Sequence, residues 1–387
     1  MEGMRRRAVL LLIPLSIAAA CRKASSESGS SSAALPPSLS GSAGCAGADQ
    51  NFAPGQLPSE VVLTTTVLGP LSQVCAARDA EILYVTGPNA TVYALDFSGG
   101  APVETELVQP GTLDLLLSAA GIAQPAQLSG LAVVDGGKLY VMEHTSHVIV
   151  AVDRTAPDTV ELAYGLPSTI GGNADGFGLL ARFNFTRPSM LAATSDGRVY
   201  LADPGNHSIR LLQAGLVSTT AGSGAPFWAD GILQQTFFDT PTGLCFDCDN
   251  HLIVSEIGGS LSFGNRIREL TLGPATFFGQ QGSSATLLGD GSAASAEGIG
   301  SAAKLSSPVA PVLSETGELY WIDAGTGVLR ERSGPAASAL CPLDVDCASA
   351  VGAPTFTPGA TLSLALTESG VLYALDASAA KLLRISP

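Results

Sequence analysis

The stretch RPSMLAATSDGRVYLADPGNHSIRLLQAGLVSTTAG spans residues 187–222 and shows most clearly a pattern that recurs along the chain. It contains an apolar run, an Asp-Gly turn, a second apolar run with Tyr, a loop of small residues and a third run with an Arg. Self-similarity of this kind is the signature of a repeat architecture. Five further copies lie at 71–96, 128–153, 240–259, 307–331 and 362–385.

The apolar runs have the composition of short β-strands. They are four to eight residues long, rich in Val, Leu, Ile and Tyr, and bounded by Asp, Asn, Gly and Ser. A fourth run follows four of the copies, at 103–109, 158–165, 216–222 and 275–281. Four antiparallel strands repeated six times predict an all-β fold, a six-bladed β-propeller, in which each blade buries its faces against its neighbours.

The two ends of the repeat region predict how the ring closes. The last copy stops after its third strand, at KLLRISP (381–387), whereas EVVLTTTVLG (60–69) precedes the first copy and resembles the fourth-strand segment GLVSTTAGSG (215–224). We predict that this N-terminal strand completes the last blade, which protects sheet edges from pairing with other chains. The fourth strand of the fifth blade is not predicted, because SALCPLDVDCASAVG (338–352) replaces a recognisable strand.

The third copy carries a family resemblance. FNFTRPSMLAATSDGRVYLADPGNHSIRLL (183–212) resembles an NHL-type repeat, with an aromatic residue three positions before a Pro, then Asp-Gly, Val-Tyr and Asn-His-x-Ile-Arg. The match is strong in this copy and weaker in the others, and it covers residues 58–387. The resemblance implies an NHL-like propeller fold and says little about chemistry.

The N-terminus resembles a bacterial lipoprotein signal. A basic MEGMRRR is followed by AVLLLIPLSIAAA (8–20) and then by Cys21. The 13 apolar residues are fewer than the ~20 that a membrane-spanning helix needs. We expect residues 1–20 to be a signal peptide, Cys21 to be lipidated, and 21–57 to be a Ser/Gly/Pro-rich tether. The alternative is ordinary cleavage after Ala20 and secretion.

Cysteine usage agrees with export. Six Cys remain besides Cys21, an even number that suits disulfide bonding in an oxidising compartment. Proximity favours Cys245 with Cys248 and Cys341 with Cys347, which leaves Cys45 for Cys75; other pairings remain open. CFDC (245–248) has a rival interpretation as a redox or zinc motif, but no second CxxC accompanies it.

The charge balance argues against nucleic acid as a partner. The chain carries −15 at pH 7, and removal of residues 1–20, with three Arg and one Glu, makes this −17. Some NHL-like propellers bind RNA through a basic face, and this sequence contains no basic cluster. We therefore expect no nucleic acid, and a partner that is an extracytoplasmic protein, peptide or glycan.

In a propeller, the loops between strands two and three and the connections between blades surround the channel on one face, where ligands usually bind. Several residues on these loops have alternative structural roles. The acids that close strand two recur at the same position of the repeat, which is typical of turn-forming hydrogen-bond acceptors. The Asn-His pair belongs to the repeat pattern itself. Adjacent aromatic residues can pack beneath a loop instead of facing a ligand. The candidate binding-face residues are His144, Arg182, His207, Phe227, Trp228, Glu256 and Asp323.

The sequence assigns no catalytic residue and no metal site. Similar six-bladed propellers include lyases and lactonases that hold zinc or calcium with His, Glu, Asn or Asp. This chain has only four His and no Gly-x-Ser-x-Gly, phosphate-loop or His-Glu-x-x-His motif. A calcium site built from Glu256, Asp323 and backbone carbonyls remains possible.

We therefore expect a lipid-anchored binding or scaffolding module on the extracytoplasmic side of a bacterial membrane, in the cell envelope, without a cofactor. The alternative is a metal-dependent propeller enzyme of the lyase or lactonase/hydrolase type.

Overall fold

The computed structural model describes residues 59–64, 72–76, 81–99, 102–332 and 356–385, apart from positions 124, 135–136, 248, 260–262, 277–278, 297, 299, 315–316 and 368. The predicted signal peptide (1–20), the tether (21–57) and the Cys-rich segment 338–352 lie outside these residues.

Short strands form nearly all of the described regular structure. In chain order they are β1 (Ser59–Thr64), β2 (Val74–Ala76), β3 (Ile82–Thr86), β4 (Val92–Asp96), β5 (Val103–Val108), β6 (Leu128–Val134), β7 (Lys138–Glu143), β8 (Val148–Asp153), β9 (Val160–Tyr164), β10 (Gly176–Phe177), β11 (Leu191–Ala193), β12 (Val199–Asp203), β13 (Ser208–Gln213), β14 (Leu216–Ala221), β15 (Gly231–Ile232), β16 (Pro241–Phe246), β17 (Leu252–Glu256), β18 (Arg266–Thr276), β19 (Gly279–Leu288), β20 (Pro308–Leu313), β21 (Leu319–Asp323), β22 (Val328–Arg332), β23 (Leu362–Leu366), β24 (Leu372–Asp376) and β25 (Lys381–Ile385).

The strands form six sheets, which are the six predicted blades. Blades 1 and 2 consist of β2–β5 and β6–β9, and blades 3 and 4 of β10–β14 and β15–β19. Blade 5 has β20–β22 among the described residues, and blade 6 has β23–β25 together with β1. The two-residue strands β10 and β15 are additions to the predicted four, and each pairs with the outer strand of its blade.

The N-terminal strand closes the ring, as predicted. β1 pairs antiparallel with β25 in a register that runs from Ser59 opposite Ile385 to Thr64 opposite Lys381. The first strand of the chain is therefore the fourth strand of the last blade, and β25 is not left as an exposed edge.

The fourth strand of blade 4 differs from its predicted position. The segment 275–281 contains the end of β18 and the start of β19, and the strand itself is Gly279–Leu288. β18 and β19 form a long hairpin whose pairing extends to Thr276 opposite Gly279. The predicted strand therefore spans the end of one strand and the start of the next.

The apolar core consists of six clusters, one between each pair of neighbouring blades. β12 shows how the strand period creates them, since successive side chains of a strand point to opposite faces. Val199 and Leu201 pack in the cluster with blade 2, whereas Tyr200 and Ala202 pack in the cluster with blade 4. All five residues of this strand are buried.

The one α-helix among the described residues, α1 (Thr112–Ala119), lies in the connection between blades 1 and 2 and buries Leu113 and Leu117. No helix within the described part of the chain has the length and apolarity needed to cross a bilayer.

Removal of β1 tests the closure. A chain that begins at residue 66 should melt at least about 5 °C below one that begins at residue 54, because it loses the strand ladder with β25. It should also self-associate through the exposed edge. Thermal unfolding and size-exclusion chromatography measure both effects, and equal melting temperatures would show that closure adds no stability.

Candidate functional site

The inner strands of the six blades surround a central channel. At one end of it lies a cavity of about 210 Å³, here named the channel mouth. This is the end at which strand two finishes, because Pro241 pairs with Glu256 and Pro308 pairs with Asp323. The lining residues are Gln73, Arg187, Pro188, Met190, Thr242, Ile257, Ser307, Val309, Ala310, Ala324, Gly325, Gly359, Ala360, Thr361 and Leu362.

The channel mouth combines one cation with uncharged groups. Arg187 is exposed, and its side chain forms no ion pair among the described residues. Hydroxyl groups come from Thr242, Ser307 and Thr361, and apolar walls from residues such as Met190. The cavity can therefore accept a small group that bears negative charge and hydroxyls.

The described lining contains no Asp, Glu, His or Cys. A zinc or calcium ion, which the alternative enzyme function requires, would find no carboxylate, imidazole or thiolate ligand there. The residues of the channel mouth therefore do not fit a metal centre of that kind.

The opposite end of the channel is apolar. A cavity of about 280 Å³, here named the lower channel, is lined by Val, Leu, Ala, Phe, Pro and Met side chains together with Cys75 and Cys245. Met190 lines both cavities and so lies between them. Burial raises the pKa of Cys75 to about 12 and raises that of Cys245 as well, so as free thiols both are protonated.

Within the described part of the chain, Cys75 and Cys245 are free thiols. Their predicted disulfide partners Cys45 and Cys248 lie outside the described residues, as do Cys341, Cys347 and the lipidation candidate Cys21. The disulfide and lipidation predictions therefore stay predictions.

Three of the acids that close strand two are buried and paired with arginines. Each of them has a fully buried side chain that accepts a hydrogen bond from a fully buried Arg on strand three. Burial raises the pKa of Asp203 and Glu256, and raises that of Asp323 to about 6, although the Arg charge lowers it in each case. The pairs are Asp203 with Arg210 (2.8 Å), Glu256 with Arg268 (2.7 Å) and Asp323 with Arg330 (3.0 Å).

The same arginines hold the connection that precedes each blade. Their Nη2 groups donate to backbone carbonyls of Ala174 (2.8 Å), Ala229 (2.9 Å) and Ala296 (3.0 Å), respectively. In blades 3 and 4 they also contact the Asp of the Asp-Gly step, Asp175 and Asp230. Glu256 and Asp323, named above as binding-face and calcium candidates, therefore have their carboxylates directed at buried arginines.

A residue after the loop between strands two and three links blades 2, 3 and 4 to the blade that follows each of them. His147, His207 and Asn265 all adopt left-handed backbone conformations, with φ of 55°, 48° and 56°. A side-chain atom of each residue accepts a hydrogen bond from a backbone N–H in the segment that enters the following blade. The contacts are Phe185 N–H to His147 Nδ1 (3.1 Å), Thr240 N–H to His207 Nδ1 (3.2 Å) and Ser307 N–H to Asn265 Oδ1 (2.9 Å).

The binding-face candidates His144 and Arg182 lie on the loops where the sequence places them. His144 is half-buried, its ring centroid is 6.5 Å from that of His147, and burial lowers its pKa. Arg182 donates to the carbonyl of Ile170 (3.0 Å) and so braces the connection before blade 3. Neither residue lines the channel mouth.

Phe227 and Trp228 are partly exposed and partly packed. Phe227 is 46% exposed and meets Phe263 edge to face, with 4.9 Å between ring centroids. Trp228 is 39% exposed, lies under the Arg266 guanidinium at 4.4 Å and donates to Thr286 Oγ1 at 3.0 Å. The pair is held in place by neighbours and still offers aromatic surface to solvent.

Sequence reasoning missed Arg187 and the hydroxyl residues of the channel mouth. None of the seven candidate binding-face residues is in the lining of this cavity. A signal for the buried arginines was present, because both Asp203 and Asp323 precede their Arg by seven residues. No comparable spacing marks the channel mouth, since its residues come from five blades.

No family model matches the chain, and no curated protein does. Similar solved structures include a gluconolactonase from Xanthomonas campestris, with 17% identity, a TM-score of 0.54, and 86% of this chain and 90% of that one covered. A putative gluconolactonase has 12% identity and a TM-score of 0.52 over 86% and 93% of the two chains. A luciferin-regenerating enzyme has 13% identity and a TM-score of 0.52 over 86% and 96%. At these identities the likeness shows the propeller fold.

The buried ion pairs generate a stability prediction. Arg210→Met should destabilise the protein by about 3–5 kcal/mol, because it leaves the Asp203 carboxylate buried without its cation. Arg198→Met is a matched control in the same blade, since its pair with Asp196 is solvent-exposed and worth at most about 1 kcal/mol. Chemical denaturation measures both. Equal losses would show that the buried Arg has no special structural role.

Proposed function

We propose that the protein is an exported, lipid-anchored propeller that binds a carboxylate-bearing group of a glycan or peptide at the channel mouth. The observation that carries this proposal is the exposed Arg187 at the rim of a cavity that is otherwise uncharged. Export and anchoring rest on the signal-like residues 1–20 and on Cys21.

The chemistry of the channel mouth favours an anion. A guanidinium presents a planar fork of donors that matches a carboxylate in two parallel hydrogen bonds. Thr242, Ser307 and Thr361 add hydroxyls for the polar groups around it, and Met190 and Leu362 provide apolar contact. No acid in the described lining competes for the Arg187 charge.

The size of the cavity limits the ligand. Its volume of about 210 Å³ is below the ~300–1,000 Å³ of sites that enclose drug-sized molecules. It is suited to one sugar unit or the end of a peptide, with the rest of the ligand lying across the loop face. Phe227 and Trp228 offer exposed aromatic surface on that face.

Two small ligands serve as probes and distinguish a glycan carboxylate from a peptide carboxylate. D-glucuronate represents an acidic glycan, and an N-acetylated tripeptide with a free carboxyl terminus represents a peptide. Arg187→Ala should weaken binding of the preferred probe about 10- to 100-fold, because a charge-assisted hydrogen bond is lost. Isothermal titration calorimetry measures the affinities.

Arg198→Ala is the control for a general change in charge, since Arg198 belongs to the surface pair with Asp196. The uncharged partners of the probes, glucose and the peptide amide, should bind the wild type weakly. Failure of both charged probes to bind, or equal binding by Arg187→Ala, would rule out the proposed recognition.

A second candidate function is the metal-dependent lyase or lactonase/hydrolase activity. The similar solved structures favour it over a binding module, because two are described as gluconolactonases and one as a luciferin-regenerating enzyme. The channel mouth weighs against it, since its described lining contains none of the usual metal ligands.

Hydrolysis of D-glucono-1,5-lactone decides between the two functions. The binding function predicts a rate no higher than spontaneous hydrolysis, both with and without added zinc or calcium, in a pH-indicator assay. Turnover that EDTA abolishes and metal restores would establish the enzyme and displace the binding function.

A further inference from the structure

Three ionisable side chains meet at the end of blade 4 opposite the channel mouth. They are Asp247, His251 and Glu269, and their ligand atoms all lie within 4.8 Å of one another. None of the three belongs to the channel-mouth lining or to the buried ion pairs described above.

The turn between β16 and β17 places the first two residues. The Asp247 carboxylate accepts the backbone N–H groups of Asp249 (2.9 Å) and His251 (2.7 Å). Its second oxygen lies 2.9 Å from His251 Nδ1. The backbone of the turn therefore fixes both side chains on one side of the blade.

Strand pairing brings in the third residue. Glu269 on β18 lies opposite Ile253 on β17. Residues two apart on a strand share a face, so His251, two positions before Ile253, lies on the same face as Glu269. The three side chains therefore converge from one turn and one neighbouring strand.

Glu269 supplies an independent sign that a ligand is accommodated here. Its side chain belongs to a residue only 5% exposed, and its Oε2 is buried without a hydrogen-bond partner among the described residues. Burial raises its pKa, as do the charges of Asp247 and Asp249, whereas the charges of His251 and Arg332 lower it. A carboxylate oxygen that is buried without a partner is costly, and a bound cation would offset that cost.

We propose that Asp247, His251 and Glu269 form a binding site for a divalent transition-metal ion, for which zinc is the best-matched probe. Two carboxylates balance the +2 charge of the ion, and the imidazole binds it after losing its proton. A three-residue set also leaves a tetrahedral position open to water or to an external oxygen ligand.

The donor set selects against calcium and magnesium. Calcium takes six to eight oxygen ligands and magnesium prefers an octahedron of oxygens, whereas this site contributes one imidazole nitrogen and two carboxylates. Imidazole with carboxylate suits zinc and related transition ions. This inference does not depend on the function proposed for the channel mouth.

Zinc titration of the purified full chain, stripped with EDTA and dialysed, tests the site. The wild type should bind zinc with a stoichiometry of one at this site and should melt at a higher temperature when zinc is present. Glu269→Gln and His251→Ala should each weaken zinc binding at least about tenfold, measured by calorimetry and by elemental mass spectrometry after dialysis.

Asp196→Asn is the matched control, because it removes an acid from the corresponding turn of blade 3, where Asp196 pairs with Arg198. This variant should bind zinc as the wild type does. His251→Ala changes a partly exposed ring, so it keeps the test valid if Glu269→Gln fails to fold. Unchanged zinc affinity in the folded variants, or preferential binding of calcium at this site, would overturn the proposal.

Discussion

The structure depends on the fact that no blade can bury its own faces. Fully buried strands such as β12 direct alternate side chains toward two different neighbours, so every blade needs a blade on each side. Six interblade clusters meet this need only if the ring closes. The pairing of β1 with β25 joins the two ends of the repeat region in one blade.

Polar groups hold the parts of the ring that apolar packing does not reach. Arg210, Arg268 and Arg330 connect the end of strand two to the connection that enters the blade. Blade 2 solves the same problem without an Arg. There Glu143 accepts backbone N–H groups of Gln127 (2.9 Å) and of its own loop. The repeated acid is therefore an organiser of loops, and the Arg is an addition in three blades.

This use of the acids explains why Glu256 and Asp323 do not line the channel mouth. The acids that recur in register serve the ring, whereas Arg187 and Gln73 of the channel mouth do not recur. The cluster at Asp247 likewise arises from features of one blade alone. Both proposed sites therefore rest on individual departures from the repeat.

The sequence by itself determined the all-β class, the six blades and the closing strand, because these follow from local period-two patterns, turn residues and repetition. At 275–281, where β18 ends and β19 begins, the local pattern did not predict the strand bounds. Only the tertiary structure decided that Glu256 and Asp323 are buried against arginines, and that Arg187 stands at a cavity. The tertiary structure likewise brings Glu269 close to His251. Burial and convergence depend on the register between strands and on the rotation from blade to blade, which bring together residues far apart in the chain.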